Sequence, residues 1–499
     1  MDNQPEISLK LWILESIFSA YRRIQASKWS SIFRNSGIVL FANFIAKLLV
    51  FLATALIART LQPEDFGWYA LIIAYVGFVA VIPELGMDAV LTRHMARNPG
   101  LAPTLLGAAI TLRMLAIMLS GVISLIVFYF LGYPVRLAPV FAIALTFLLS
   151  QSLSAFVETY FRAQMAMGLP ALAKIGAKAT FFLVVFVALR TIEIEWRLLF
   201  AIAATTLPDL LAVAYVTFWM WHRVRPSLAF GWVAWRSLLH ESWPFALSSI
   251  CVMIYVRMDV VLLSRLSTPE AVGNYAAAYG LVEVWSGTAT ALGVSLLPIL
   301  ARSTGVSSTN DFWRIYRQSF AGLMFILIPM IFFFTLYTNE VITLIYGSQY
   351  NQAYKALRLL IWGQFFAAGS IIYVSALIAN QQQKLTLVIT FISAVVSITG
   401  NLFLIPILDI VGASLTTIIT YGVGSVILLF LPDTRAYILP MFEACLFPCI
   451  ASLTAVAVVM LLNLDLLPGL VVGGAIYLVL GSILPKMVKN VHRAALRSF

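Results

Sequence analysis

Charge is what this sequence has least of. Of 499 residues only 11% are Asp, Glu, Lys or Arg, while 62% are hydrophobic. Soluble domains average about a quarter charged and about half apolar, so a water-facing surface of this size cannot be covered. That excludes a soluble enzyme and, by the same numbers, a disordered chain. Cysteine is also scarce. Cys251, Cys445 and Cys449 all lie in apolar segments and read as small buried hydrophobes, which excludes a disulfide scaffold. His94, His222, His240 and His492 are scattered over loops and helix ends, so no metal site is expected. No GxxxxGK[ST] phosphate loop occurs, and no loop is long enough for a nucleotide-binding domain, which excludes ATP-driven transport within this chain. The first 37 residues hold neither an apolar core nor a small-residue cleavage site of signal-peptide type. Instead, residues 7–29 carry apolar side chains at helical spacing opposite Lys10, Arg22, Arg23 and Lys28. That pattern fits a helix lying on a membrane surface, with a frayed polar tail as the alternative.

What the chain has in abundance is long apolar runs. About 20 mainly apolar residues cross a bilayer as a helix. Fourteen windows qualify: 38–60, 69–91, 104–130, 138–160, 170–190, 196–219, 243–265, 276–300, 319–338, 356–379, 385–407, 412–431, 440–462 and 466–484. The expected fold class is therefore all-α, a polytopic membrane protein with 14 transmembrane helices. An even count puts both termini on one side. If that side is the cytoplasm, it holds 22 of the 32 Lys and Arg, including Arg162, Lys174 and Lys178 assigned to a loop. The opposite side holds seven, and Lys47, Arg113 and Arg257 lie inside spans. The positive-inside rule thus predicts cytoplasmic termini and accounts for the net charge of +11 without nucleic acid.

The chain also repeats itself. Residues 57–70, IARTLQPEDFGWYA, align with 263–276, LSRLSTPEAVGNYA, at an offset of 206. Six of fourteen positions coincide: Arg59/Arg265, Pro63/Pro269, Glu64/Glu270, Gly67/Gly273, Tyr69/Tyr275 and Ala70/Ala276. Both copies fall in the loop joining the first two spans of a half. Six spans separate them, so the halves insert in the same orientation, as a parallel repeat. The predicted organisation is an N-terminal segment (1–37), an N-lobe of spans 1–6 (38–240), a C-lobe of spans 7–12 (241–438), spans 13–14 (439–484) and a cytoplasmic tail (485–499).

A 6+6+2 arrangement with Arg59-x3-Pro63-Glu64-x2-Gly67-x-Tyr69-Ala70 after span 1 resembles the polysaccharide repeat-unit flippases. These belong to the multidrug/oligosaccharidyl-lipid/polysaccharide exporter superfamily. Leu85-Gly86 followed by Arg93, the step Arg257-Met258-Asp259, Gly273-x-Tyr275-x-x-Ala278 and Tyr346-Gly347-x-x-Tyr350 agree with it. The resemblance covers about residues 35–435. It implies movement of an undecaprenyl-pyrophosphate-linked oligosaccharide from the cytoplasmic to the outer leaflet of a bacterial inner membrane by alternating access. It also implies no enzyme activity and no cofactor. The partners it implies are the lipid-linked anionic oligosaccharide, membrane lipids, and polysaccharide polymerase or export machinery. Two rivals stand beside it: a multidrug exporter of the same superfamily, and a membrane glycosyltransferase or polymerase on the same lipid carrier. The latter needs acidic or His residues on a sizeable outer loop, which this chain lacks.

Ionisable residues inside spans are costly and face the bundle interior or a water-filled cavity. An anionic pyrophosphate-sugar headgroup needs cations there. Lys47 and Arg257 are the leading candidates because the family's central cleft is lined by the first two spans of each lobe, with Arg113 behind them. Glu84, Asp88, Asp259 and Glu283 are candidates for ion coupling, or for pairing: Glu84 with Lys47 or Arg113, and Glu283 with Arg257 at matched depth. Asp88, Glu158 and Asp209 read as solvated or bland positions. Tyr255 and Trp285 are candidates to stack on sugars. Pro83, beside Glu84 and Gly86, is the expected hinge.

Overall fold

The computed structural model describes residues 28–227, 231–303 and 309–497, so residues 7–27 of the expected surface helix lie outside it. Within the described residues the chain is helical throughout, without strands. Eleven helices there are long and apolar enough to cross a membrane. The chain is a multi-pass membrane protein, because a bundle of such helices satisfies its backbone internally while leaving Leu, Phe and Val side chains exposed to lipid.

The helices run in chain order as α1 (Lys28–Thr60), α2 (Pro63–Ala80), α3 (Met87–Arg97), α4 (Ala102–Phe130), α5 (Ala138–Ala163), α6 (Gly168–Ala188) and α7 (Ile194–Val224). There follow α8 (Trp232–Leu266), α9 (Pro269–Ser303), α10 (Thr309–Leu336), α11 (Thr338–Tyr346), α12 (Ala353–Ala379), α13 (Gln383–Phe430), α14 (Arg435–Leu461) and α15 (Leu466–Arg497). In the first half α1 packs on α6, α6 on α7, and α5 on α7 and α2. In the second half α9 packs on α12, α12 on α13, and α13 on α8. The two groups meet where α2 crosses α9, while α14 and α15 lie against α10.

Two windows fold differently from a plain span. The window 69–91 is interrupted: α2 ends at Ala80, a 3-10 turn covers Ile82–Glu84, and Leu85 (φ 49°) and Gly86 (φ 66°) turn left-handed before α3 begins. Pro83 has no N–H to extend the α2 hydrogen-bond ladder, and Gly86 makes a left-handed residue cheap. Glu84 and Asp88 therefore lie on opposite sides of the break, Glu84 in the 3-10 turn and Asp88 in the first turn of α3. Windows 385–407 and 412–431 form the continuous stretch α13, which folds back at Asp409 (φ 54°, ψ −131°). A Cβ on Gly412 would sit 2.2 Å from the Leu404 carbonyl oxygen, and Ser393 Oγ reaches the Thr420 carbonyl at 3.4 Å, so the arms run side by side.

The repeat has a direct structural counterpart. Tyr69 hydrogen-bonds Thr205 of α7 at 2.9 Å, and Tyr275 hydrogen-bonds Thr417 of the second α13 arm at 3.2 Å. Each duplicated tyrosine thus ties the second helix of its half to the last. The duplicated glycines meet each other. A Cβ on Gly67 would lie 1.8 Å from the Pro269 carbonyl oxygen, and one on Gly273 would lie 2.0 Å from that of Pro63. The starts of α2 and α9 are in backbone contact at the distal end of the bundle, the end opposite Lys28.

Candidate functional site

Between the two helix groups lies a cavity of about 370 Å³. Its wall in the first half includes Asn43 and Lys47 of α1, Phe66 and Tyr69 of α2, Gln151 of α5, and Lys174 and Lys178 of α6. The second half contributes Arg257 of α8, Tyr279 and Glu283 of α9, and Tyr346 at the end of α11. Four cations from three helices of opposite halves face one space.

They differ in how they are held. Lys178 is paired with Asp209 of α7 at 2.5 Å, both side chains being largely buried. Arg257 pairs with Glu283 at 3.1 Å and lies over the Tyr279 ring, 5.7 Å from its centroid. Lys174 donates to the neutral amide oxygen of Asn43 at 2.9 Å. Lys47 is exposed to the cavity, and no carboxylate lies within ion-pair distance of it among the described residues. Lys47 and Lys174 therefore offer charge without an internal counterion, which is what an incoming anion meets at least cost.

Beside this space is a second cavity of about 250 Å³, lined by residues of the first half alone. Glu84, Glu158 and Asp209 line it, and Gln151, Lys174 and Lys178 form the wall it shares with the central cavity.

The residues expected from sequence separate into two groups. Lys47, Arg257 and Glu283 line the central cavity, and the depth-matched pair Arg257–Glu283 is formed. Glu84 faces the second cavity. Arg113 faces neither: it is fully buried, pairs with Asp88 at 2.6 Å, and donates to the Ser152 carbonyl at 2.8 Å and the Glu84 carbonyl at 3.4 Å. Its work is to hold the break after α2. The broken helix leaves carbonyls and Asp88 that need a donor, and the Phe156 ring, 5.6 Å away, packs on the guanidinium. Asp88 is accordingly an ion-pair partner and not a solvated end. Asp259 is also buried away from the cavity; it accepts from the Tyr275 hydroxyl and, at 2.7 Å, from the Val260 N–H. Tyr255 packs edge-on to Tyr421, and Trp285 lines an apolar pocket with α10, α14 and α15.

Sequence reasoning missed Lys174, Lys178 and Asp209. The two lysines belong to α6 and not to a loop. Their i, i+4 spacing inside the window 170–190 was the available signal, since it puts both on one helix face. Moving them leaves twenty Lys and Arg against seven, so the charge asymmetry persists.

The distal end is closed on both sides of the Gly67–Gly273 contact. On one side Arg59 donates to the carbonyls of Leu344 and Ile345, and the Tyr350 hydroxyl donates to the Ala58 carbonyl at 2.7 Å. On the other, Tyr133 hydrogen-bonds Ser264 at 2.9 Å and Arg265 lies over the Tyr133 ring at 5.2 Å. Ala58 and Ser264, like Arg59 and Arg265, are repeat equivalents, so each half grips the other with the same positions. At the proximal end Glu241 of α8 binds Arg93 (2.5 Å) and His94 (3.0 Å) of α3, and Gly86 packs against the α8 backbone.

A helical bundle of two similar halves around a basic cavity, gripped at both ends, is the architecture of a membrane transporter. Residues 32–304 match the family described as polysaccharide biosynthesis protein, more than half of the sequence, and the chain belongs to that family. Residues 244–403 also match the MatE family. A Haloferax volcanii protein named as a low-salt glycan biosynthesis flippase, Agl15, is 25% identical over 401 residues, covering 79% of this chain and 82% of that one. A Shigella flexneri protein named as an O-antigen transporter is 22% identical, covering 77% and 94%. Among solved structures, the lipid II flippase MurJ in an inward closed conformation superposes with a TM-score of 0.64 at 15% identity, covering 90% of this chain and 98% of that one. An inward-facing multidrug resistance MATE transporter superposes with a TM-score of 0.60 at 13% identity, covering 80% and 94%. These two likenesses concern the fold.

Proposed function

We propose that this chain is a secondary flippase that moves an undecaprenyl-pyrophosphate-linked oligosaccharide across a bacterial cytoplasmic membrane for surface polysaccharide synthesis. The observation that carries the proposal is the basic cavity: Lys47, Lys174, Lys178 and Arg257 converge between two helix groups inside an apolar bundle. A diphosphate is the anion such a set suits, and the hydroxyl-rich sugars find Asn43, Gln151, Tyr69 and Tyr346 on the same walls. A cationic drug would be repelled there, which disfavours the multidrug reading. The relatives' names support the glycan cargo.

In this reading the chain crosses the membrane 14 times, as an N-lobe (38–240), a C-lobe (241–438) and two final spans (439–484). The segment 1–37 and tail 485–499 lie on the cytoplasmic side, so the distal end faces outward. Lys47 and Lys174 take the diphosphate first, because neither has to give up a carboxylate. Arg257 joins by exchanging Glu283 for the anion, and Glu283 later competes for Arg257 and helps release it. Glu84 and Asp209 sit across the shared lysine wall, where a proton or Na⁺ compensates the carboxylate that loses its lysine. Alternating access consists of opening the proximal grip (Glu241 with Arg93 and His94) and the distal grip in turn. No bond in the cargo is made or broken. Partners are the lipid-linked cargo, membrane lipids and the polymerase or export machinery that receives it.

The test is the leaflet position of undecaprenyl-pyrophosphate-oligosaccharide in a strain lacking the protein. Completed units held in the cytoplasmic leaflet, with loss of polymer, are the expected result. Incomplete oligosaccharides point to a transferase, and unchanged pools with normal glycan overturn the proposal.

A further inference from the structure

One cavity-lining side chain belongs at once to the site and to the distal grip. Tyr346 ends α11, is 2% exposed, and lines the central cavity. Among the described residues its hydroxyl has no hydrogen-bond partner. A Cβ on Gly280 would stand 3.1 Å from that oxygen, so a glycine on α9 leaves the ring its place. The two residues immediately before it, Leu344 and Ile345, present the carbonyls that Arg59 holds. Four residues after it, Tyr350 holds the Ala58 carbonyl, and Gln349 reaches the Leu61 carbonyl at 3.3 Å. The rings themselves are in series. Tyr346 lies 5.8 Å from Tyr350, Tyr350 lies edge-on to Phe66 at 5.8 Å, and Phe66 stacks on Tyr69 at 5.8 Å. Phe66 adjoins Gly67, whose backbone meets Pro269.

The hydroxyl faces the cavity with its hydrogen-bonding capacity unused by protein groups among the described residues, so it is available to a hydrogen-bonding ligand that enters there. The flanking segment cannot stretch to follow it: Gly347 (φ 96°) and the 3-10 turn Ser348–Tyr350 connect the ring directly to the residues that hold α1. Movement of Tyr346 toward a sugar in the cavity therefore shifts Leu344 and Ile345 relative to Arg59 on one side and Tyr350 relative to Ala58 on the other. The cation set reads the diphosphate, whereas this hydroxyl, in the cavity wall nearest the distal end, reads the glycan.

We propose that Tyr346 is the positioning residue that couples a bound glycan to opening of the distal end: a sugar hydroxyl hydrogen-bonds its phenol, and the displacement releases the Arg59 and Tyr350 grip on α1. This rests on the flippase reading above. The coupling has a clear purpose, because a carrier that opened outward on the lipid diphosphate alone would return unglycosylated carrier to the outer leaflet.

The experiment uses the full chain in liposomes, with Cys251, Cys445 and Cys449 replaced by Ala. Spin labels at Arg190→Cys and Glu270→Cys report the distal separation of the two halves. Probes are undecaprenyl diphosphate and undecaprenyl diphosphate carrying N-acetylglucosamine, each with its Kd measured on the same preparation. The expected result is that both probes bind, that only the sugar-bearing probe lengthens the distance, and that Tyr346→Phe binds it more weakly than wild type by less than about tenfold, as loss of one hydrogen bond requires, yet keeps the short distance when saturated. Normal lengthening in Tyr346→Phe overturns the proposal while leaving the flippase reading intact. So does lengthening of the wild type by the sugar-free probe, or a tenfold or greater loss of binding in Tyr346→Phe, which makes the residue a simple ligand. Failure of the wild type to bind either probe removes the flippase reading and this inference with it. Tyr346→Ala together with Gly280→Ala, which refills part of the space, guards against a packing defect: it too must keep the short distance.

Discussion

Gly67 and Gly273 press the backbones of the two halves together, each where the other half's Pro269 or Pro63 carbonyl leaves no room for a Cβ. Backbone approach this close is available only to glycine. It explains why the same motif occurs twice: a two-fold contact needs the same residue from both halves. Gly67→Ala or Gly273→Ala forces the starts of α2 and α9 apart, and overpacking of this kind costs about 1–3 kcal/mol. The closed distal end is destabilised, so the spin-label distance between residues 190 and 270 lengthens without any ligand. Gly77→Ala, which meets open space in α2, leaves it unchanged.

Lys178 and Asp209 form a pair that is largely out of solvent, with side chains 14% and 17% exposed. Removing one partner strands the other, and losses of about 3–5 kcal/mol are usual for buried pairs. Lys178→Met and Asp209→Leu alone should each lower the melting temperature of the detergent-solubilised protein. The double variant should recover most of that loss and still transport poorly, because the cavity has lost a cation. Recovery of both stability and transport would make the pair purely structural.

Arg113 is buried against Asp88, the Glu84 carbonyl at the helix break and the Ser152 carbonyl of α5. Arg113→Met should therefore reduce stability by about 3 kcal/mol, the low end expected when a carboxylate that is only partly exposed loses its partner. Combining it with Asp88→Asn should restore much of it. Undecaprenyl diphosphate should bind whatever protein remains folded with wild-type affinity, which isothermal titration checks directly.

Lys47 faces the cavity with no carboxylate partner among the described residues, while Arg257 is held by Glu283. Lys47→Ala and Arg257→Ala should each weaken undecaprenyl diphosphate binding at least tenfold, about 1.4 kcal/mol. Glu283→Gln removes the competitor for Arg257. It should tighten binding and slow release, so Kd and turnover fall together. If Lys47→Ala and Arg257→Ala both bind and transport like wild type, the diphosphate is not held by these cations.

Much of the fold was legible in the sequence because a bilayer imposes strong one-dimensional rules. The apolar windows fall on helices, the window 69–91 being split between α2 and α3, since a helix satisfies its own backbone in lipid. The repeat was legible because its two-fold contact demands the same glycine, proline and tyrosine twice. Pro83 and Gly86 marked the break after α2. The site was legible only in part. Depth along a span, at 1.5 Å per residue, paired Arg257 with Glu283 correctly. It could not say that Arg113 points away from the cavity, because depth does not fix which way a helix is turned.

The sequence by itself determined that this chain is a membrane-spanning helical bundle of two related halves, since hydropathy, charge asymmetry and an internal repeat are properties of residue order. Only the tertiary structure decided which charges share a space. Lys174 and Lys178 join Lys47 and Arg257 because α6 is rotated toward the cavity, and Tyr346 joins them because α11 carries the distal grip on its last turn. Helix rotation and helix pairing are set by packing among residues far apart in the chain, and no local pattern encodes them.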